Sequence, residues 1–271
     1  MTEAGSVRRP ARRLTAAGGE TRDEIVAEEV AVALVYNGIS HAVMMATPCD
    51  LEDFARGFSL TERIVEKASE IYDIEVEDIE VGSGGRGIEV RLKIASQRMA
   101  GLQERRRSLA GRTGCGLCGV DSLDAALRPV PVSQAGGTVS RAAIERAMAS
   151  LPGLQRINRM NGATHAAGWA AADGTLALVR EDVGRHNALD KLGGALAKSG
   201  AAGAGGFVVV TSRCSYEMVQ KAAALGAVAI AAVSAPTSLA IETAEQAGIA
   251  LVAFVREGRL TVYANAERIS S

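Results

Sequence analysis

Cys115 and Cys118 stand in the run Gly114-Cys-Gly-Leu-Cys-Gly119, where glycine holds both flanks and one interior position. Sulfur is the softest nucleophile a side chain offers, and its reactivity follows thiolate content and access. Glycine leaves the backbone free to take turns closed to other residues. Arg105, Arg106, Arg107 and Arg112 lie just upstream, cations that favour thiolate over thiol at short range. A CxxC pair has three chemistries. Zinc takes four ligands, and the remaining Cys49 and Cys214 are isolated, so a zinc site would need a pair from each of two subunits. A thioredoxin-type pair opens a helix that follows a strand, which a glycine-rich loop does not suit. Sulfur relay suits it better: one exposed thiolate accepts a sulfane sulfur and hands it on, and a neighbouring thiol resolves it. Cys49, next to Pro48, reads as a packing residue, and Cys214 as a small buried one.

A second set of polar residues falls at the ends of strand-like runs. Leu176–Arg180 is followed by Glu181, Asp182, Arg185, His186 and Asn187, and Phe207–Thr211 by Ser212, Arg213, Cys214 and Ser215. Val228–Val233 leads into Ser234 and Thr237, and Ile249–Val255 into Arg256 and Arg259. In open α/β sheets ligands bind beyond the carboxyl ends of the strands, where helix N-termini also point. Arginine forks chelate phosphate there, so the set implies a phosphate-rich ligand. His165, closing Asn161-Gly-Ala-Thr-His165, is either a further contact or a satisfied loop histidine; His41, in an apolar strand, reads as structural.

The elements that must position these residues divide in two. Val30–Val35 and Ala42–Ala46 flank Asn37-Gly38, the strongest two-residue hairpin signal. Asp50 then stands as the cap of a helix with Leu51, Phe54 and Phe58 on one face. Strands near Ile71–Val81 and Ile88–Ile94 and a helix over Ser96–Leu109 lead to the cysteine loop, an α+β half with antiparallel pairing. After a Pro/Gly-rich linker from Arg128 to Gly137 and a helix over Ser140–Leu151, short apolar runs alternate with helices. That pattern predicts a parallel sheet covered on both faces, ending in a hairpin of Leu251–Val255 and Leu260–Tyr263 about Arg256-Glu-Gly-Arg259. The domains expected are a flexible basic tail over 1–20, an α+β domain over 21–135 and an α/β ligand-binding domain over 136–271. A chain of 271 residues with net charge −1 has no bulk attraction to nucleic acid or membrane. No apolar run is long enough to span a bilayer, and four irregularly spaced cysteines predict reduced thiols in a cytoplasmic protein.

The run Glu181-Asp-Val-Gly-Arg-His-Asn-Ala-Leu-Asp-Lys191, taken with Cys115-Gly-Leu-Cys118 and Ser212-Arg-Cys-Ser-Tyr-Glu-Met218, resembles the FdhD family. Thr47-Pro-Cys-Asp50 and Asn161-Gly-Ala-Thr-His165 extend the resemblance from about Glu28 to about Tyr263. The family comprises sulfur carrier proteins required for formate dehydrogenase activity. The resemblance implies that sulfur arrives from a cysteine desulfurase as a persulfide on Cys115, with Cys118 as its partner. It implies delivery to the molybdenum cofactor, a bis(molybdopterin guanine dinucleotide), before insertion into formate dehydrogenase. Phe254, Val255, Arg256, Glu257, Gly258 and Arg259 match the family's cofactor-binding stretch. Arg180, Arg185, Arg213, Arg256 and Arg259 are then the candidates to hold phosphates, with His165, His186 and Ser212 as polar contacts and no dedicated protein-bound metal. A C-terminal domain similar to the cytidine deaminase fold, α/β in class, and a homodimer are also implied. The deaminase zinc signature is absent, since Pro48-Cys49 has no second cysteine at the required spacing. Gly162-Ala163, Ser212, Cys214 and Arg112-Thr-Gly114 depart from the family's usual residues. Two rival readings are a cofactor-binding chaperone without sulfur transfer and a zinc-stabilised interaction module.

Overall fold

The computed structural model describes residues 4–16, 18–82, 84–107, 130, 132–133, 136–201, 205–256 and 258–270; Cys115 and Cys118, with the loop expected around them, and Glu257 lie outside the described residues. The chain opens with a two-stranded ribbon, β1 (Ser6–Thr15) and β2 (Gly18–Ala27), paired antiparallel over its whole length. The flexible tail expected over 1–20 is therefore replaced by a hairpin arm. Its arginines conceal the strand pattern, because both faces of the ribbon are largely exposed and apolar alternation never develops.

A four-stranded sheet follows. β3 (Val30–Tyr36) and β4 (Ile39–Ala46) form the predicted hairpin, with Asn37 at φ 46° and Gly38 at φ 82°. Two successive positive φ values are what a type I′ turn requires. α1 (Leu51–Thr61) comes next, then β5 (Ile71–Val81), β6 (Gly85–Ile94) and α2 (Ser96–Arg107). The sheet order is β4-β3-β6-β5, with β3 and β6 parallel, so the all-antiparallel expectation holds for two of the three pairings. One face packs Val32, Leu34, Val90 and Leu92 against Leu51, Phe54 and Phe58 of α1. Asp50 does occupy the cap position, but at φ 51° its carboxylate makes no capping bond.

The second lobe begins with β7 (Val139–Ser140), α3 (Arg141–Leu154) and the single turn α4 (Asn158–Asn161). Then come β8 (His165–Ala170), β9 (Leu176–Asp182), α5 (Arg185–Ser199), β10 (Phe207–Val210) and α6 (Tyr216–Ala224). β11 (Ala229–Ala232), α7 (Ser238–Ala247), β12 (Ala250–Arg256), β13 (Arg259–Ala264) and β14 (Ile269–Ser270) complete it. The fold is α/β, with a six-stranded sheet in the order β13-β12-β11-β10-β8-β9. Only β10, β11 and β12 are mutually parallel neighbours; β8 runs antiparallel to both of its neighbours and β13 to β12. The expected parallel sheet is thus corrected to a mixed one by β8, while β12 and β13 form the expected terminal hairpin. Strand alternation sends Val208, Val210, Ile230 and Ala232 toward α5, α6 and α7. It sends Phe207, Val209, Ala229 and Ala231 toward α3 on the other face.

The lobes meet where α1 crosses α5. A Cβ on Gly57 would lie 1.7 Å from the Asp190 carbonyl oxygen, and one on Gly194 would lie 1.9 Å from that of Asp53. Each helix therefore places a glycine against the other's backbone, and no side chain fits between them. We expect Gly57→Ala to lower stability by about 1–3 kcal/mol through overpacking. Urea unfolding would read this as a lower midpoint at unchanged slope; an unchanged midpoint would refute the close crossing.

Candidate functional site

β9, β10, β11 and β12 all point their carboxyl ends the same way, and β8, running opposite, starts at that edge with His165, paired in register with Asp182. The N-termini of α5, α6 and α7 follow directly from those ends. α7 is capped by Thr237, whose Oγ1 accepts from Ala240 N at 3.2 Å. The cap positions of α5 and α6, Gly184 and Ser215, make no side-chain capping bond. First-turn N–H groups without a capping acceptor, at the positive end of a helix dipole, suit an anion.

The last two residues of β9 divide between the two sheet faces. Glu181 turns toward α4, accepting from Ile157 N at 2.9 Å, Asn158 N at 2.8 Å and Thr164 Oγ1 at 2.9 Å. Asp182 is fully buried on the opposite side. It accepts from Thr47 N at 3.0 Å, Gly184 N at 2.8 Å and Asn187 Nδ2 at 3.0 Å, and pairs with Lys191 Nζ at 2.7 Å. Lys191, itself fully buried, also donates to the Thr47 carbonyl at 2.9 Å. This cluster locks the turn that presents Arg185 and His186, and it ties that turn to the first lobe.

Around that turn the candidates gather. His186 Nε2 lies 3.0 Å from Glu217 Oε2 and 3.5 Å from Ser215 Oγ. Burial holds the pKa of His165 below the usual histidine value, and the charges of Arg185 and His186 add to the shift. A neutral imidazole beside an arginine offers both an acceptor and a donor to a ligand. The Arg185 Nε is buried with no hydrogen-bond partner among the described residues. At the far end of the edge a bulge between Ala253 and Arg256 holds Phe254 at φ 53°, its ring 6.5 Å from that of Tyr263. Positive φ is costly for a bulky side chain, and bulges recur beside active sites, where they re-aim a side chain. Arg256 and Arg259 are exposed and paired in register, and Gly258, at φ 70°, lies in the turn between them.

Some candidates sit elsewhere. Arg180 is bound to Asp53 on α1, its Nη2 2.7 Å and its Nε 3.0 Å from Oδ2, instead of facing the edge as the sequence implied. Val255 is buried in the core beneath α3. Ser212 is buried and donates to the Arg213 carbonyl at 2.9 Å, while Arg213 itself is exposed. Burial pushes the Cys214 thiol up to about 12, which keeps it protonated. Cys49 lines an open cleft of about 370 Å³ with Asp50, Asp53 and Lys198. Burial raises its pKa, and Lys191, 3.8 Å from the sulfur, works against that shift. Sequence reasoning missed the structural work of Glu181, Asp182 and Lys191. The signal available was the strict i, i+9 spacing of acid and base across a strand-to-helix turn, which is too general to read alone.

Residues 27–270 match the model of the FdhD/NarQ family. The chain is 59% identical over 245 residues, 90% of this chain and 83% of the relative, to the "Sulfur carrier protein FdhD" of Cupriavidus necator. It is 51% identical to the protein of the same name from Bordetella petrii, over 93% of this chain and 89% of that one. It superposes with a TM-score of 0.73 on the crystal structure of a candidate formate dehydrogenase accessory protein from Desulfotalea psychrophila. Identity there is 26%, over 98% of this chain and 99% of that one.

Proposed function

This chain belongs to the FdhD/NarQ family, and on that premise we propose that it is a sulfur carrier acting on the molybdenum cofactor. The Cys115 thiolate attacks the terminal sulfur of a cysteine desulfurase persulfide, and the donor cysteine leaves as its thiolate. The Cys118 thiolate then attacks the inner sulfur, so the S–S bond breaks and the outer sulfur leaves as hydrosulfide to the cofactor, a bis(molybdopterin guanine dinucleotide), before the cofactor enters a formate dehydrogenase. The Cys115–Cys118 disulfide that remains is reduced by a cellular thiol. Cys118 serves as the second thiol beside the persulfide. The protein works in the cytoplasm as a homodimer. The cofactor is substrate here, and sulfuration calls on no metal of the protein's own.

The observation that carries this reading is the composition of one sheet edge. Arg185, His165 and His186 stand at the β9/β8 end, the α6 N-terminus follows β10, and Phe254, Arg256 and Arg259 stand at the β12/β13 end. From β9 to β12 the edge crosses four strand spacings, about 19 Å. An extended dinucleotide with its pyrophosphate fits such a row of donors. The half-buried Phe254 ring offers a flat surface for a heteroaromatic base.

Calorimetric titration with guanosine diphosphate tests the edge directly. Binding is expected in the wild type, weakened at least about tenfold by Arg256→Ala with Arg259→Ala, since charge-assisted bonds contribute about 1.5–3 kcal/mol each. Absence of binding, or affinity indifferent to those changes and to Arg185→Ala, would overturn the assignment.

A further inference from the structure

The hairpin arm has no core of its own. Its base is anchored where Glu28 N donates to the Gly5 carbonyl at 2.9 Å and Asn161 Nδ2 to Ser6 Oγ at 3.0 Å. From Arg8 to Asp23 the described residues are exposed except Ala11 and Arg22, which are partly so. A two-stranded ribbon is at best marginally stable alone in water and needs a surface to pack on. One face is closed by its own ion pairs, Arg13 and Arg22 to Glu24 and Arg22 to Glu20. The other carries Arg8, Pro10, Arg12 and Leu14 on β1 and Asp23 and Ile25 on β2. Among the described residues Arg8 and Arg12 have no acidic partner, and Leu14 is 73% exposed.

The four-stranded sheet has the complementary deficit. Its inner face is covered by α1, and among the described residues its outer face is exposed. Register places Met45, Ala31, Gly87 and Ile79 in one row across that outer face, with Val43 and Val81 beside it. Val43 is 58% exposed, and Met45 and Val81 are each 50% exposed. The rest of the face is acidic on balance: among the described residues Asp73, Glu75, Glu77 and Glu89 share only Arg91 and Lys93. The arm is basic on balance, with five arginines on its strands against Glu20, Asp23 and Glu24.

We propose that the arm of one copy lies across the outer face of the four-stranded sheet of a second copy, reciprocally, in a two-fold dimer. Leu14 and Ile25 meet the row through Met45 and Ile79, and Arg8 and Arg12 meet the acids beyond it. Ten residues of strand reach about 33 Å, enough to cross the roughly 14 Å width of four strands. A self-complementary contact of this kind closes on itself, because each copy supplies one arm and one face. The inference rests on the dimer reading above and adds the contact that forms it.

Sedimentation equilibrium of the full chain tests it across protein concentrations. Wild type is expected as a dimer. Arg8→Glu with Arg12→Glu on the arm, and separately Val43→Asp on the face, are each expected to raise the dimer dissociation constant at least about tenfold. Both variants change exposed side chains, so their thermal unfolding should match wild type and separate lost contact from lost fold. A wild-type dimer that both variants leave unchanged would overturn the arm contact and leave the dimer standing. A wild type that stays monomeric would remove both, without touching the sulfur or cofactor assignments.

Discussion

Cys115→Ser should load no sulfur when incubated with a cysteine desulfurase and cysteine, whereas wild type should gain a sulfur atom on the peptide spanning Cys115 and Cys118. The difference is expected to reach at least ~100-fold in loading rate, the scale of losing an obligatory nucleophile. Serine is nearly isosteric, but its hydroxyl has neither the acidity nor the soft nucleophilicity to attack a persulfide. The remaining cysteines are poor substitutes. Cys214 is fully buried with its thiol pushed up to about 12. Burial likewise raises the pKa of Cys49. Cys118→Ser should still load, because the second thiol acts after the persulfide has formed. Intact-protein mass spectrometry followed by peptide mapping reads all three proteins, and reductant should remove the added sulfur. Full loading of Cys115→Ser would move the sulfur to another residue. No loading of wild type by a working desulfurase would favour a chaperone that holds the cofactor without transferring sulfur.

The parallel core strands of the second lobe were legible in the sequence because burial on both faces writes itself as continuous apolar runs, Phe207–Val210 and Ala250–Val255 among them. β8 escaped because His-Ala-Ala-Gly-Trp-Ala has neither β-branched residues nor apolar alternation. Its small side chains are what let Leu176 and Val209 close over Gly168, where a Cβ would meet them at 2.9 and 3.0 Å. That one missing strand turned a mixed sheet into a parallel one on paper. The site was partly legible for a related reason. Strand ends and helix starts identify the edge, so Arg185, His186 and Arg256 are read onto the same edge of the sheet. What a linear reading cannot supply is a partner remote in sequence. Arg180 looks like a phosphate ligand until Asp53, 127 residues away, takes its guanidinium. Val255, in the same matched stretch as Phe254 and Arg256, is buried in the core beneath α3.

The same remoteness makes Asp182→Ala the most consequential change outside the cysteine loop. Asp182 and Lys191 are both fully buried, and their ion pair at 2.7 Å is the lysine's direct charge compensation. Deleting the carboxylate leaves an ammonium in the core with the Thr47 carbonyl at 2.9 Å and the Glu181 carbonyl at 3.4 Å as acceptors. It also deprives the N–H groups of Thr47 and Gly184 of their acceptor. Breaking one half of a buried pair typically costs about 3–5 kcal/mol, a large share of a folding free energy of ~5–15 kcal/mol. Replacing both partners, as in Asp182→Ala with Lys191→Met, should recover the part of that loss owed to the uncompensated ammonium, while the Thr47 and Gly184 N–H groups stay without their acceptor. The recovery should not extend to guanosine diphosphate affinity, because the turn that aims Arg185 and His186 is shaped by Asp182 through Gly184 and Asn187. Urea unfolding of the two variants, read as a cycle, separates pair energy from single-site loss. A double variant partly restored in stability yet impaired in nucleotide binding would identify the pair as a positioning device, and one restored in both would reduce it to packing.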